Sequence, residues 1–256
     1  MPTPASSPSL PFAPITISIV SHGQLALVLP LLEQLDRHSR AVTAKVVLTL
    51  NIPEPDLLTG RTWGFEVERI ENASPKGFGA NHNQAFERCG TPWFLVLNPD
   101  IRFDSDVLTP LLAQAAADAG LLTPRILEPG KAEPEPHRAL LTPLEIVGRK
   151  KPGYVRPRVP AWIPGLFMLF RSEAYRQVGG FDERFFMYGE DFDICARTGL
   201  AGWRLQVGED LVARHDAQRE SHRSRKYLYW HVTSLLKVWL SGSFWRYRRR
   251  YQRLQG

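Results

Sequence analysis

The sequence predicts an α/β fold with a mostly parallel central sheet flanked by helices, and three observations carry that expectation. Short β-rich apolar runs alternate with helix-patterned segments through the first half of the chain. One of these runs, Trp93 to Leu97, ends in Asn98-Pro99-Asp100. That places a carboxylate at the carboxyl end of a buried strand, the edge where α/β sheets bind ligands. A second acidic cluster, Glu190, Asp191 and Asp193, opens a helix among Phe185, Phe186, Tyr188 and Phe192. A carboxylate buried among aromatics is costly unless it is used or paired, and such surroundings raise its pKa toward that of a general base. Two separated acidic clusters, one at a strand end and one at a helix start, suggest metal-assisted group transfer.

The elements follow in order. Ile15 to Val20 is β-rich and reads as the first strand, and Leu25 to Leu35 has helical apolar spacing that stops near Arg37-His38. Lys45 to Leu50 and Phe65 to Ile70 read as strands, Gly77 to Cys89 as a glycine-opened helix and Trp93 to Leu97 as a central strand. Asp106 to Ala117 is an alanine-rich helix, and Leu121 to Thr123 is another strand. From about Ile126 to Pro160 the pattern dissolves into a proline-rich, charged excursion. Order returns with a strand over Trp162 to Phe170, a turn of helix from Ser172 to Val178 and the acidic helix from Glu190 to Leu200. Arg204 to Val207 and Leu211 to Arg214 read as strands, Lys226 to Leu240 as an amphipathic helix, and a strongly basic helix follows.

Composition bounds the class. At 256 residues, with 43% hydrophobic and 23% charged residues, the chain suits one globular core. Cys89 and Cys195 lack any metal-ligand spacing and read as reduced thiols in helices, which favours the cytosol. Residues 1–13 read as a disordered, proline-rich leader, and no apolar run is long enough to cross a bilayer. The net charge of +6 is unevenly placed: Arg214 to Gly256 holds eleven Lys/Arg against Asp216 and Glu220. Interleaved aromatics there, among them Tyr229, Trp239, Trp245 and Tyr251, suit an anionic membrane surface. A packed helix pair with a solvated basic face is the plainer alternative. Nucleic acid is not an expected partner, because only this tail argues for it.

Five blocks in order then carry a resemblance: I-S-I-V-S-H at the first strand, K-G-F-G-A-N-H-N at 76–83, F-L-V-L-N-P-D at 94–100, P-G-L-F-M-L-F-R from Pro164, and G-G-F-D-E-R-F-F-M-Y-G-E-D-F-D at 179–193, with His215 after a later strand. Together they resemble the inverting family 2 glycosyltransferases of the GT-A fold, in particular the rhamnosyltransferase-like branch. The resemblance implies a domain over residues 14–240, with 241–256 as an added basic aromatic helix. It implies transfer of a sugar from a dTDP- or UDP-linked donor to a polysaccharide or lipid-linked glycan at the inner face of the cell membrane. It also implies Mg²⁺ or Mn²⁺ held by Asp100 and His215, and Asp191 as the base. Donor contacts are implied at Ser21, Asn51, Lys76, Gly77, Asn83 and Asn98, and acceptor contacts at Trp162, Gly165, Asp182 and Glu190.

Departures from the family pattern are visible in the sequence. Asn98 stands where the first acid of the D-x-D pair is usual, and Thr49-Leu50-Asn51 closes the second strand without an acid. A hard cation on a diphosphate needs few protein carboxylates, so Asn98 weakens such a site without forbidding it. These departures leave a non-catalytic glycan- or lipid-binding relative as one alternative. A nucleotidyltransferase is another, disfavoured because the loop after the first strand, Ser21-His22-Gly23-Gln24-Leu25, has no Lys or Arg. Asp193 lies about 200° around the helix from Asp191 and is expected to pair with Arg197.

Overall fold

The computed structural model describes residues 13–135, 137–149, 151–216 and 225–255. All but the last residue of the expected leader, Ala13, lies outside the described residues. In chain order the elements are β1 (Ile15–Ser21), α1 (Leu25–His38), β2 (Thr43–Leu50), β3 (Glu66–Glu71), α2 (Phe78–Phe86), β4 (Trp93–Leu97), β5 (Ile101–Arg102) and α3 (Leu108–Ala113). They continue with β6 (Ala119–Leu127), α4 (Pro143–Gly148), β7 (Phe167–Arg171), α5 (Ser172–Gln177), α6 (Glu190–Leu200), β8 (Arg204–His215), α7 (Arg225–Leu240) and α8 (Gly242–Gln255).

The strands form one sheet in the order β3-β2-β1-β4-β7-β6-β8-β5. β1 pairs in parallel with β2 and β4, β2 with β3, and β6 with β8. β7 runs antiparallel to both β4 and β6, so the sheet is mixed at its centre. Alternation along β4 divides the core into two layers: Trp93, Leu95 and Leu97 face the layer with α1 and α3, while Phe94 and Val96 face the layer with α6 and α8.

Three expectations change. The strand expected from Trp162 begins only at Phe167, because Pro164 has no N–H to offer a ladder and the N–H groups of Ile163 and Gly165 go to α6 side chains. Arg204 to His215 forms one strand, irregular between Pro124 and Arg125 of its partner, in place of two. The basic helix is not an appendage. Phe244, Tyr247 and Tyr251 recur at helical spacing, are buried in the α6 layer, and the two tyrosine hydroxyls donate to Ala161 O at 2.7 Å and Val159 O at 2.8 Å.

α8 therefore clamps the segment that leads into β7. Tyr247→Ala is expected to lower unfolding free energy by about 3–5 kcal/mol in a urea titration, as for other large core truncations. Deleting residues 242–256 is expected to abolish cooperative unfolding, where the sequence alone suggested a domain left intact.

Candidate active site

The register of β4 with β7 brings the two acidic clusters to one edge. Leu97 is paired with Phe167, and the Asn98 N–H donates to Leu166 O at 3.0 Å. The carboxyl end of β4 thus lies beside the residues entering β7. On the β4 side, Asp100 Oδ2 lies 3.1 Å from His215 Nε2, while Glu128 places both carboxylate oxygens 3.0 Å from His215 Nδ1. Asp100 Oδ1 is buried and has no hydrogen-bond partner. On the β7 side, the Gly165 N–H donates to Asp191 Oδ2 at 3.3 Å, and the Phe192 N–H donates to Oδ1 at 2.8 Å. A cavity nearby is lined by Glu128, Trp162, Pro164 and Leu166, which neighbour the two groups; Asp100, His215 and Asp191 are not among its lining residues.

The electrostatics follow from this packing. Burial raises the Asp191 pKa, opposed by the Phe192 N–H, the Arg138 charge and the Gly165 N–H. The residue as a whole is half-buried. Burial, followed by the Asp191 charge, pushes Glu190 well above the usual carboxylate range. Glu190 Oε2 is buried without a partner. His215 is lowered by burial, but the hydrogen bond and charge of Asp100, then those of Glu128, outweigh this and hold its pKa above the ordinary value.

The expected donor contacts divide. Asn98 is half-buried at the strand end beside Asp100, and buried Ser21 Oγ accepts from the Gln24 N–H at 3.1 Å. Lys76 is exposed and bonds Gln84 at 2.8 Å. Asn51 is engaged within the protein: Nδ2 faces His22 Nδ1 and Lys76 O, while Oδ1 accepts from the Asn72 amide and the Lys76 N–H. All four of its hydrogen-bonding capacities are spent inside the protein. Asn83 is likewise committed, accepting from the Tyr175 hydroxyl and Phe181 N–H and donating to Phe181 O and Glu183. At Gly77 a Cβ would meet Phe186 O at 2.7 Å, and the next N–H, Phe78, donates to that carbonyl.

Among the acceptor candidates, Gly165 supports Asp191 directly. Trp162 is largely buried, with its indole N–H donating to Ala139 O at 2.9 Å and its ring facing the cavity. Asp182 is bound to Arg184, and Glu190, at 5% exposure, has too little open surface for a solvent-borne acceptor. Asp193 makes the expected pair with Arg197, at 2.7 Å. Sequence reasoning missed Glu128 and Arg138. Glu128 had a signal, an acid closing an apolar strand as Asp100 does; Arg138 lies in the aperiodic excursion and had none.

Comparison with known proteins bears on this arrangement. Residues 93–254 match the model of Glycosyl transferase family group 2. The chain belongs to that family. N-acetylglucosaminyl-diphospho-decaprenol L-rhamnosyltransferase of Mycobacterium tuberculosis is 34% identical over 145 residues, 49% of this chain and 47% of that protein. Rhamnosyltransferase WbbL of Escherichia coli (strain K12) is 39% identical over 77 residues, 30% of this chain and 29% of that one. The matches span about half or less of these relatives. The fold is GT-A. GalNAc-T7, solved with UDP, GalNAc and Mn²⁺, superposes with TM-score 0.69 at 16% identity, covering 91% of this chain and 49% of that one. The mannosyltransferase PcManGT from Pyrobaculum calidifontis, solved with GDP-Man and Mn²⁺, gives 0.64 at 15%, covering 94% and 68%.

The Glu190–Asp191 pair has a stability consequence for this family 2 chain. Because the folded pKa of Glu190 is raised, the native state holds a proton that the unfolded chain releases in the ordinary carboxylate range. Stability therefore falls as pH rises from that range toward neutrality. Glu190→Gln removes the dependence, so its melting temperature is expected to exceed that of wild type by a margin that grows from pH 5 to pH 8. A constant margin in calorimetry would refute this assignment.

Proposed function

We propose that the chain is an inverting, metal-assisted glycosyltransferase that moves a sugar, rhamnose by analogy with the matched rhamnosyltransferases, from a dTDP- or UDP-linked donor to a lipid-linked glycan. The observation that carries this reading is the β4–β7 register, which sets the strand end bearing Asp100, bonded to His215 and backed by Glu128, beside the segment whose Gly165 N–H holds Asp191. Asp191, its pKa raised and both oxygens fixed by backbone N–H groups, takes the proton of the acceptor hydroxyl. The freed oxygen pair forms the new bond to the anomeric carbon, and the old bond breaks with its electrons leaving on the nucleoside diphosphate. No covalent intermediate with the protein is needed.

The residues fit a divalent cation. Asp100 brings a buried oxygen that lacks a partner, and Glu128 orients the imidazole of His215 from behind, as an outer carboxylate does for a metal-bound histidine. Among the described residues no group of three or more His, Cys, Asp or Glu could hold the ion alone, so a cation held by Asp100 and His215 would also need oxygens from the donor and water. Mg²⁺ or Mn²⁺ bound there supplies charge to offset the negative charge on the departing diphosphate. His215 must shed its Nε2 proton to bind metal. Apparent Mn²⁺ affinity is thus expected to fall about tenfold per pH unit below the raised His215 pKa, and Glu128→Gln should move that limb to lower pH.

Asp191→Asn is expected to lower turnover about 10²–10⁴-fold in a radiolabelled transfer assay while nucleotide binding stays within about twofold. In wild type, the acid limb of kcat/KM should lie above the ordinary aspartate range, since activity is lost as pH falls through a raised base pKa. Tight sugar binding without turnover by wild type, across dTDP- and UDP-sugars with Mn²⁺, would instead mark a binding relative.

Within the basic segment, the surface that would meet a membrane is the outer face of α7. Tyr229, Val232, Leu236 and Leu240 lie along its exposed face, Trp245 extends the apolar surface, and Arg246, Arg249, Arg250 and Arg253 of α8 are exposed nearby in sequence. Among the described residues no helix is long and apolar enough to cross a membrane. An apolar stripe with adjoining cations suits an anionic bilayer surface, which would place the cavity near a lipid-borne acceptor. Leu236→Asp combined with Leu240→Asp is expected to abolish flotation with phosphatidylglycerol vesicles without lowering the melting temperature.

A further inference from the structure

The excursion between Arg138 and Pro160 is pinned at both ends and bare in between. At its base the Arg138 and Trp162 backbones form an antiparallel bridge, the Ala161 N–H donates to Arg138 O at 2.7 Å, and the Trp162 indole N–H donates to Ala139 O. Farther out, the Trp239 indole N–H of α7 donates to Leu141 O at 2.7 Å, and the Tyr251 hydroxyl of α8 holds Val159 O. Between these anchors stands α4, capped by Thr142, whose Oγ1 accepts from the Glu145 N–H at 3.1 Å. That helix buries none of its six residues, although Leu144, Ile146 and Val147 are apolar.

What this stretch leaves in solvent is apolar and cationic together. Val155, Leu144 and Leu240 are the most exposed large hydrophobic side chains among the described residues, at 86%, 85% and 84%. Leu240 borders the excursion, because it follows the Trp239 that bonds Leu141, and the exposed Trp245 donates its indole N–H to Trp239 O at 2.9 Å. Arg149, Lys151 and Arg156 are exposed among these groups and form no ion pair among the described residues. The one acid of the stretch, Glu145, accepts from the Tyr154 hydroxyl.

Apolar side chains held this far into water mark a surface that something covers. A second copy of the chain would bring the same cations to the same place and be repelled. A folded protein partner calls for a packed, shape-matched patch with aromatic anchors, whereas Leu144, Val147 and Val155 project singly from a short helix and a Pro152-Gly153 turn. Single-stranded nucleic acid calls for free aromatic faces, and Tyr154 is tied to Glu145. Acyl chains receive single aliphatic groups without shape matching, and anionic headgroups complement the cations beside them. We propose that this excursion is a membrane-docking loop: Leu144, Val147 and Val155 enter the acyl boundary of an anionic bilayer while Arg149, Lys151 and Arg156 meet its headgroups. The loop adds a second contact to the one proposed for α7 and rests on that reading. Because Arg138 and Pro160 at its two ends line the cavity, a docked loop holds one wall of the cavity close to the lipid surface.

Hydrogen exchange of the full chain, read by mass spectrometry with and without phosphatidylglycerol vesicles, tests this without a variant. Amides of 143–159 are expected to exchange about fivefold or more slowly on the vesicles, as for a surface segment that becomes covered. Protection confined to 225–245 overturns the loop and leaves the α7 contact standing, while protection of neither segment removes both. Combined Leu144→Ser, Val147→Ser and Val155→Ser is expected to weaken partitioning into these vesicles about tenfold or more, with the melting temperature unchanged because all three side chains are exposed. Combined Arg149→Gln, Lys151→Gln and Arg156→Gln should weaken it about tenfold or more at low salt and flatten its salt dependence. Partitioning like wild type by either combined variant overturns the proposal. Protection of 143–159 by single-stranded RNA and not by vesicles also overturns it, by giving the surface another partner. Glycosyl transfer is scored separately, through UDP or dTDP binding with Mn²⁺: failure of wild type to bind either removes transfer, and the vesicle measurements still decide the loop.

Discussion

The antiparallel pairing of β7 with β4 is the constraint on which the rest of the molecule depends. Parallel strands all deliver their carboxyl ends to one edge of a sheet. An antiparallel strand inserted among them delivers its amino end to that same edge. With Leu97 opposite Phe167, the chain leaving β4 and the chain entering β7 meet where Asp100 and Gly165 stand. Without this reversal, the segment that supports Asp191 would lie at the opposite end of the sheet from Asp100.

The segment from Trp162 to Leu166 translates that register into a site. It is excluded from the ladder at Pro164, so its polar backbone groups turn to α6: the Ile163 N–H meets Cys195 Sγ and the Gly165 N–H meets Asp191. A Cβ on Gly165 would lie 3.0 Å from the Phe78 ring, a contact that only a small shift of that ring would relieve. Behind the segment, Tyr247 and Tyr251 of α8 hold the carbonyls of Ala161 and Val159. The basic helix thus stabilises the wall of the cavity, which explains why its aromatic residues are interleaved with its arginines: one face packs and the other stays in solvent.

The approach to α6 is under strain. Tyr188 has φ 70°, in the left-handed region that β-carbon-bearing residues avoid, and Gly189 follows at 83°. Two contacts with α7 hold this turn, a stacked Tyr188–His231 pair at 3.6 Å and a hydrogen bond from Ser234 Oγ to Met187 O. The same helix carries the exposed apolar stripe on its outer side. Its inner face therefore fixes the loop that precedes the Glu190–Asp191 pair, so the surface suited to a bilayer and the proposed base share one rigid support.

The sequence by itself determined the α/β alternation, the strand-end acid Asp100, the acidic opening of α6 and the Asp193–Arg197 pair. Each of these is written in local periodicity or in the residues bordering one element. Only the tertiary structure decided what remote residues do to one another. Asn51 and Asn83 look like free amides in a motif, yet their partners come from segments up to 100 residues away, and those partners use up every donor and acceptor they have. Glu128 and Arg138 acquire meaning only because the fold sets one behind His215 and the other on Trp162. Hydrogen-bond saturation, burial and charge pairing depend on distances across the fold, and a linear chain carries those distances only through its packing.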